Sequence, residues 1–324
     1  MIEINNKFFS NYKYIDLFCG IGGFHLALDS LGAECVFASD IDSKAREIYK
    51  KNFGITPSGD ITKIKNKTIP KHDILCAGFP CQPFSISGNQ QGYDDPRGKL
   101  FFEIIRIARF HKPKIIFLEN VRNFKTHDHG ETLKKAKNEL TKLGYNVFED
   151  ILAASNYDVP QARKRLYIVA IKKSLKIKTF NFPKGSPTKK KLKDVLFNER
   201  NLYDVFVNRS FSMDLTPINR NGLLHVAKIG KGRQGERIYS VDGYSATLSS
   251  QGGGLGGKTG IYLIDNKIRK LYPRECARLM GFPDDFKYAT EISIAYKQFG
   301  NSVVVDVLQN ILIEIGNVLT NGKE

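Results

Sequence analysis

The chain has 324 residues, of which 41% are hydrophobic, and this length allows a large core in one domain or in a large and a small domain. Its 50 Lys and Arg against 33 Asp and Glu give a formal net charge of +17, which favours polyanionic partners and nucleic acid first, although a basic surface can also serve solubility alone. No apolar run looks long enough to span a bilayer and the start lacks a secretory pattern, so we expect a cytoplasmic protein without a membrane partner.

The first half of the chain alternates strand and helix patterns. This alternation predicts an open, mostly parallel α/β sheet with helices on both faces, and ligands of such sheets bind beyond the carboxyl ends of the strands. The predicted strands cover residues 12–18, 34–40, 72–78, 113–120 and 166–171, and the predicted helices cover residues 24–32, 44–53, 99–111 and 131–145.

The pattern changes near residue 175. Residues 176–193 are rich in lysine and broken by two prolines, and the segments that follow are short and rich in Gly, Asn and Ser. We therefore predict a second, smaller and loop-rich domain over residues 191–272. Residues 302–319 have helical periodicity and are predicted to pack back onto the first domain. The predicted division is residues 1–190 with 301–324 as the first domain, and 273–300 as a hinge.

The cysteines indicate reduced thiols. There are five of them without any CxxC pair, so neither a disulfide framework nor a zinc site is predicted, and no metal is expected. In a cytosol each cysteine is then either core filler or a reacting group. The five are Cys19, Cys35, Cys76, Cys81 and Cys276.

The stretch "DLFCGIGGF" has the pattern of a strand, a glycine turn and a helix start. Gly20, Gly22 and Gly23 let the backbone turn tightly against a ligand, and Asp40 ends the next strand, where it can accept hydrogen bonds from ribose hydroxyls. His25 stands where the dinucleotide fingerprint has its third glycine, so the pattern favours an adenosyl ligand over a pyrophosphate. A glycine turn without a ligand is the alternative.

Two further positions lie at or just beyond the carboxyl ends of predicted strands, at the same edge of the sheet. Cys81 lies in "GFPCQPFS" between Pro80 and Pro83, a loop that gives little apolar shelter, so a nucleophile is favoured over a packing thiol. Glu119 follows the apolar stretch "KIIF" after one leucine, and glutamate is a poor helix N-cap.

In "QARKRLYIV" the side chains of Arg163 and Arg165 should point the same way along an extended segment, because neighbouring side chains of a strand alternate. Surface cations are one interpretation of these arginines. A contact to an anion or a carbonyl is the other.

At these residues the chain resembles the DNA cytosine-5 methyltransferases. The stretches "DLFCGIGGF", "GFPCQPFSISG", "ENV", "QARKRLYIV", "RECARLMGFP" and "QFGNSV" occur in that family's order, and the match covers nearly the whole chain. The resemblance implies a class I, Rossmann-like methyltransferase fold with a target-recognition domain, acting on double-stranded DNA as a monomer. The variable segment is similar to that of a member that reads GCGC, which implies GCGC or a CG-centred relative as target. It also implies a restriction-modification system whose endonuclease is a functional but not a physical partner.

The resemblance implies S-adenosylmethionine as cofactor and S-adenosylhomocysteine as product. Asp40 matches the ribose-binding acid and Asp60 the contact to the adenine amino group. Ile41 is a departure, because an aromatic residue stands there in the related enzyme. The full set of implied cofactor residues is Phe18, Gly20, Gly22, Gly23, Asp40, Ile41, Asp60, Ile61, Pro80, Leu100 and Asn301.

The resemblance also implies a covalent mechanism. A thiolate of Cys81 attacks C6 of cytosine, a protonated Glu119 relieves the charge at N3, and Arg163 or Arg165 binds O2. None of these groups reaches a stacked base, so the cytosine must be flipped out of the duplex.

The implied DNA contacts lie in two regions. Arg237 matches a guanine-reading arginine and Gln234 the residue that fills the space left by the flipped base. Arg233 and Gln251 depart from the related enzyme, which leaves the outer bases open, and Arg233 could contact phosphate only. The implied set is Ile86, Ser87, Arg233, Gln234, Arg237, Thr247 and Gln251.

Three other functions remain as alternatives. An RNA cytosine-5 methyltransferase shares the motifs, but the glycine-rich region after residue 230 favours DNA. A regulator that binds DNA without chemistry is disfavoured by the complete set of reacting residues. A nicotinamide oxidoreductase is disfavoured by the missing third glycine.

Overall fold

The computed structural model describes residues 7–80, 100–197, 204–250 and 254–321. The chain forms two compact units. The first unit contains the residues up to Leu152, Lys164–Lys184 and the residues from Val307 onward. The second unit contains Ala153–Arg163 and Gly185–Asp306.

The first unit is built on a six-stranded sheet. Strand order is β2-β1-β3-β4-β6-β5, in which β1, β2, β3 and β4 run parallel and β6 runs antiparallel to β4. An open and mostly parallel sheet is thus confirmed. The strands are β1 Lys13–Leu17, β2 Glu34–Ser39, β3 Ile74–Gly78, β4 Ile115–Val121, β5 Tyr145–Ala153 and β6 Lys164–Lys172.

Helices cover both faces of this sheet, as predicted. On one face Ile15, Leu75 and Ile116 share a core with Ile104 and Leu140. On the other face the rings of Phe24 and Phe117 meet edge to face at 5.3 Å, and the ring of His25 meets that of Tyr14 at 5.9 Å. The helices of this unit are α1 Gly23–Asp29, α2 Ser43–Phe53, α3 Leu100–His111, α4 Asn123–Thr126 and α5 Glu131–Lys142, with most of α8 Val305–Asn321.

Local chemistry explains where α2 lies. Asp42 accepts hydrogen bonds from the backbone N–H groups of Lys44 and Ala45 and caps the helix. Gly54 ends α2 in the left-handed conformation, with φ of 72°.

The second unit contains a five-stranded sheet in the order β11-β10-β9-β8-β7. It is more regular than the loop-rich domain predicted from its composition. Its small core consists of Val226, Ala227, Ile238, Ile261 and Ile268. The elements are β7 Ser212–Arg220, β8 Leu223–Lys228, β9 Arg237–Ser240, β10 Ile261–Ile264, β11 Lys267–Arg269, α6 Pro273–Arg278 and α7 Ile292–Asn301.

The compact units do not divide the chain at the predicted boundaries. Segment 153–163 and the segment 273–300, predicted as a hinge, both group with the five-stranded sheet. Hydrogen bonds account for this, because Gln161 donates to the carbonyl of Leu279 at 2.7 Å and accepts from the backbone N–H of Leu248 at 3.1 Å. The functional roles of the predicted domains stay predictions.

One part of the first sheet was missed: strand β5 was not predicted. Glu119 lies within β4, inside the predicted strand 113–120. Strand β4 extends to Val121 because it pairs with β6 along its whole length, with Glu119 opposite Tyr167 and Val121 opposite Arg165. Pairing partners of this kind are invisible in the local pattern of a single strand.

One apolar stretch in the described part of the chain is long enough to cross a membrane by length and composition. It lies within Ile292–Thr320, where the most apolar window of 18 residues has a mean hydropathy of 1.5, so the expectation that no such run exists was wrong. The most apolar window of this stretch is 61% buried within the protein. The stretch comprises α7 and α8, which are separate helices, and burial of this kind is typical of core helices.

Candidate active site

The loop after β1 turns sharply at glycines, as the sequence predicts. Phe18, Gly20 and Gly22 have φ values of 56°, 55° and 94°. The backbone N–H of Gly20 donates to Oδ2 of Asp40 at 2.8 Å, and the N–H of Asp42 donates to Oδ1 at 2.8 Å. The loop after β1 and the end of β2 are thereby held together around one carboxylate.

The glycines of this loop are required for two different reasons. A Cβ atom on Gly20 would meet nothing within 4 Å, so this glycine supplies the positive φ and leaves open space. A Cβ atom on Gly22 would lie 2.2 Å from the ring of Phe53, which makes this glycine a packing requirement. Gly23 is the first residue of α1.

The segment that carries Asp60 is joined to the same end of β2. The backbone N–H of Asp40 donates to the carbonyl of Ser58 at 3.0 Å. The carboxylate of Asp60 accepts from the hydroxyl and the N–H of Thr62, and these hydrogen bonds hold its pKa below the usual value. Ile61 is buried against the core that Phe18 contacts, whereas the side chain of Ile41 is 76% exposed.

Asp16 was missed by the sequence analysis, although it opens the quoted stretch. It lies on β1, is fully buried, and neither carboxyl oxygen has a hydrogen-bond partner among the described residues. Burial raises its pKa well above the usual value, and the nearby charge of Asp40 raises it further. Burial also raises the pKa of Asp40. A fully buried and a partly buried carboxyl group thus lie at the loop predicted to bind the cofactor.

Glu119 and Arg165 form an ion pair near the carboxyl end of β4. The Nε atom of Arg165 lies 3.2 Å from Oε1 of Glu119, and their side chains are 17% and 10% exposed. The antiparallel pairing of β4 with β6 brings them together, since Arg165 lies opposite Val121. The two side chains thus form a hydrogen-bonding and charged pair at this end of the sheet.

Asn120, the next residue of β4, was quoted in the sequence analysis without a role. It is buried, its amide donates to the carbonyl of Phe79 at 3.2 Å, and its side-chain oxygen accepts from the N–H of Val121 at 2.9 Å. It therefore fixes the chain that leaves β3 directly before Pro80. Leu100, on the far side of the undescribed segment, is the first residue of α3.

Arg163 has different contacts from Arg165. Its guanidinium is buried and donates to the carbonyl oxygens of Leu248 at 2.9 Å and Ser302 at 2.6 Å, with longer contacts to that of Gly300. It ties three segments of the second unit together. Asn301, between two of these carbonyls, is exposed.

The predicted DNA-contacting residues that the structure describes lie in the second unit. Arg233, Gln234 and Arg237 are exposed around a short 3-10 helix, Gln234–Glu236. Glu236 accepts from the N–H of Arg233 at 2.8 Å, and the Nε of Arg237 donates to the carbonyl of Gly232 at 3.3 Å. Thr247 donates its hydroxyl hydrogen to the carbonyl of Ala162.

Four predicted site residues lie outside the described residues: Cys81, Ile86, Ser87 and Gln251. The other cysteines have the environment of packing thiols. Burial raises the pKa of the thiols of Cys19, Cys76 and Cys276 well above the usual value, and that of Cys35 to about 11. A thiol with a raised pKa is a poor nucleophile at neutral pH.

Over the described ranges, no group of three or more His, Cys, Asp or Glu residues is arranged to hold a metal ion. The sequence-based expectation of an enzyme without a metal stays a prediction.

Comparison with known proteins identifies close relatives of this chain. A family model described as C-5 cytosine-specific DNA methylase matches residues 12–317. The Type II methyltransferase M.HhaI of Haemophilus parahaemolyticus is 49% identical over 98% of both chains. The Type II methyltransferase M.HpaII of Haemophilus parainfluenzae is 40% identical over 98% of this chain and 93% of its own.

Solved structures have the same fold. The S. pombe Dnmt2 methyltransferase superposes with a TM-score of 0.70 at 25% identity, covering 94% of this chain and 98% of its own. A DNA modification methyltransferase encoded within an E. coli prophage superposes with a TM-score of 0.72 at 22% identity, covering 96% and 100%.

Proposed function

The chain belongs to the C-5 cytosine-specific DNA methylases, and from this premise we propose how it acts. It is a Type II enzyme of the restriction-modification kind. We propose that it transfers a methyl group from S-adenosylmethionine to C5 of a flipped-out cytosine, within GCGC or another CG-centred site. The observation that carries the proposal is the ion pair of Glu119 and Arg165, next to the buried asparagine whose amide binds the carbonyl of Phe79.

The described residues of the cofactor loop fit a cationic adenosyl ligand. Gly20 leaves open space where a side chain would stand, and the oxygens of Asp16 are buried without a partner in the described structure. A sulfonium or ammonium group nearby would stabilise the charged form of Asp16. Each oxygen of Asp40 retains a lone pair for a ribose hydroxyl beside the backbone N–H that it already accepts. When bound, S-adenosylmethionine supplies the electrophilic methyl group.

Cys81 acts on the flipped cytosine as nucleophile. Its thiolate forms a bond to C6, and the electron pair of the C5–C6 double bond moves into the ring, which makes C5 nucleophilic. C5 then takes the methyl group. Removal of the C5 proton restores the double bond and expels the thiolate. Attack on C6 builds negative charge on the ring, and stabilising that charge is the task of the neighbouring side chains.

Glu119 and Arg165 divide that task. A protonated Glu119 donates to N3 and the guanidinium of Arg165 binds O2. Donation to N3 requires a proton on Glu119 when the base is bound. Arg163, whose guanidinium holds three backbone carbonyls, acts on the base only through the chain that it positions.

DNA recognition is assigned to the second unit and to the segment after Cys81. Arg237 reads a guanine, and Gln234 fills the space left by the flipped cytosine. Ser87, with Ile86 beside it, approaches that space from the opposite side. Arg233 and Gln251 depart from the related enzyme, so the outer bases are the part of the site to be identified. A basic chain of net charge +17 suits this substrate.

The remaining expectations belong to the same proposal. The enzyme acts as a monomer in a bacterial cytoplasm, without a metal, and its endonuclease is a separate protein.

A mechanism-based substrate tests the chemistry. Duplex DNA with 5-fluorocytosine at the target should trap the enzyme when S-adenosylmethionine is present, because fluorine cannot leave as the proton does. We expect intact-protein mass spectrometry to show a covalent adduct on Cys81.

Cys81→Ala is the matched control and should bind the DNA without forming an adduct or methylating it. An unchanged protein mass for the wild type, or substantial methylation by Cys81→Ala, contradicts the mechanism. Methyl incorporation into tRNA but not into duplex DNA contradicts the substrate.

A further inference from the structure

Three strands of the second unit present a face that the small core does not use. The core side chains Val226 and Ile238 point to one face of the β7–β8–β9 sheet. The opposite face carries a cleft, which we call the hairpin cleft. It has a volume of about 220 Å³ and is lined by Ile218, Arg220, Leu223, His225, Arg237 and Tyr239.

The geometry of the β7–β8 hairpin creates this cleft. Asn221 and Gly222 both have positive φ, 53° and 83°, which is the requirement of a tight two-residue hairpin turn. The turn sets the register Arg220 opposite Leu223 and Ile218 opposite His225. Since side chains two apart share a face of a strand, the lining residues come from alternate positions on all three strands.

The cleft is lined by two arginines and contains one polar atom without a hydrogen-bond partner among the described residues. Arg220 and Arg237 are exposed at its wall. The ring Nδ1 of His225 lies 3.3 Å from Oδ2 of Asp214. The ring Nε2 is buried and has no hydrogen-bond partner in the described part of the chain. A buried polar atom left in this way is usually satisfied by a ligand or by an ordered water.

We propose that the hairpin cleft binds a phosphodiester and its deoxyribose in the backbone of the DNA substrate. Arg220 supplies the charged contact to the phosphate, and Ile218 and Leu223 contact the apolar side of the sugar. The positive charge of the cleft complements the negative charge of a phosphodiester. Arg237, the residue proposed to read guanine, lines the same cleft and would place it beside the DNA. The inference therefore rests on the proposed function, and it assigns Arg220 a phosphate contact that fixes the position of the hairpin on the duplex.

The test uses duplexes that contain the methylated site, identified beforehand by sequencing DNA methylated by the wild type. A series of these duplexes carries one neutral methylphosphonate each, at successive positions. Binding is measured with S-adenosylhomocysteine present, for the wild type, Arg220→Gln and Lys267→Gln. Lys267→Gln is the matched control. It also removes one exposed positive charge, but from β11, the strand at the opposite edge of the same sheet.

We expect Arg220→Gln to weaken binding about tenfold on cognate and non-cognate duplexes alike and to lower the slope of log K against log salt by about 0.9. One methylphosphonate should weaken the wild type and Lys267→Gln by a similar factor and leave Arg220→Gln unaffected. Arg237→Ala should instead reduce discrimination at one guanine.

Any of three results overturns the inference. The first is that Arg220→Gln binds DNA as tightly as the wild type, and the second is that it loses affinity for one base sequence only. In the third, every methylphosphonate weakens Arg220→Gln by the same factor as the wild type. Methylation of duplex DNA by the wild type is recorded separately. Its absence would count against the proposed function and not against the cleft alone.

Discussion

At the scale of single residues, a buried carboxyl group near the predicted cofactor loop lacks a positive partner among the described residues, which a cationic ligand would supply. Asp16 is fully buried, its oxygens have no partner in the described structure, and its pKa is raised by burial and by Asp40. A carboxyl group whose pKa is raised by folding stabilises the fold below its unfolded pKa, and that stability is lost as the pH rises through the folded value. The apoprotein therefore carries a local cost at neutral pH that cofactor binding would remove.

Replacing Asp16 tests this role. We expect Asp16→Asn to bind S-adenosylmethionine at least tenfold more weakly, because a neutral amide cannot stabilise a cation, and to lose the proton release that accompanies binding to the wild type. Isothermal titration calorimetry in two buffers of different ionisation enthalpy measures both quantities. Asp29→Asn, an exposed change of the same kind on α1, should behave as wild type. Equal affinity of Asp16→Asn and the wild type contradicts the role.

At the scale of elements, the junction between β1 and α1 depends on close packing. The Gly22 Cα faces the ring of Phe53, and that ring is stacked on His25 with centroids 3.9 Å apart and packed against Tyr49 at 4.8 Å. The ring cannot move aside without disturbing these neighbours. The glycine turn and α2 are therefore fixed together.

Gly22→Ala should destabilise the protein by about 2–4 kcal/mol, through backbone strain and the clash with Phe53. Gly144→Ala is the control: its φ of 89° is similar to the 94° of Gly22, but a Cβ there meets nothing within 4 Å. We expect it to cost about 1 kcal/mol. Urea unfolding measures both, and equal losses in the two variants would show that the contact with Phe53 has no effect.

At the scale of the whole molecule, acid should weaken the fold through buried histidines. Burial lowers the pKa of His25 and His72 to about 4 from the ordinary 6.5. The unfolded chain takes up these protons first as the pH falls. The stability is therefore complete above pH 6.5 and is lost progressively as the pH falls towards 4.

Each histidine can account for up to about 3 kcal/mol of this loss. We expect the free energy of unfolding of His72→Gln to fall less than that of the wild type between pH 7 and pH 4.5, since glutamine cannot take up a proton. Urea unfolding at several pH values gives the difference between the two proteins, in which the opposite contributions of Asp16 and Asp40 cancel. Parallel pH profiles for the two proteins would contradict the assignment.

The sequence by itself determined the sheet class, the glycine turn with Asp40 and the family. These features depend on local patterns: alternating apolar runs, residues that tolerate positive φ, and short motifs in a fixed order. A nucleophile at Cys81 also came from sequence and stays a prediction, since Cys81 lies outside the described residues.

Only the tertiary structure decided which distant residues meet. The antiparallel pairing of β4 with β6 places Glu119 within its strand and beside Arg165, whereas Arg163, two residues earlier, is held by carbonyls more than 80 residues away. Asp16 reads in the sequence as one more polar residue of a strand end, and its unpartnered burial results from the packing around it. Such contacts join segments far apart in the chain, and no local periodicity specifies them.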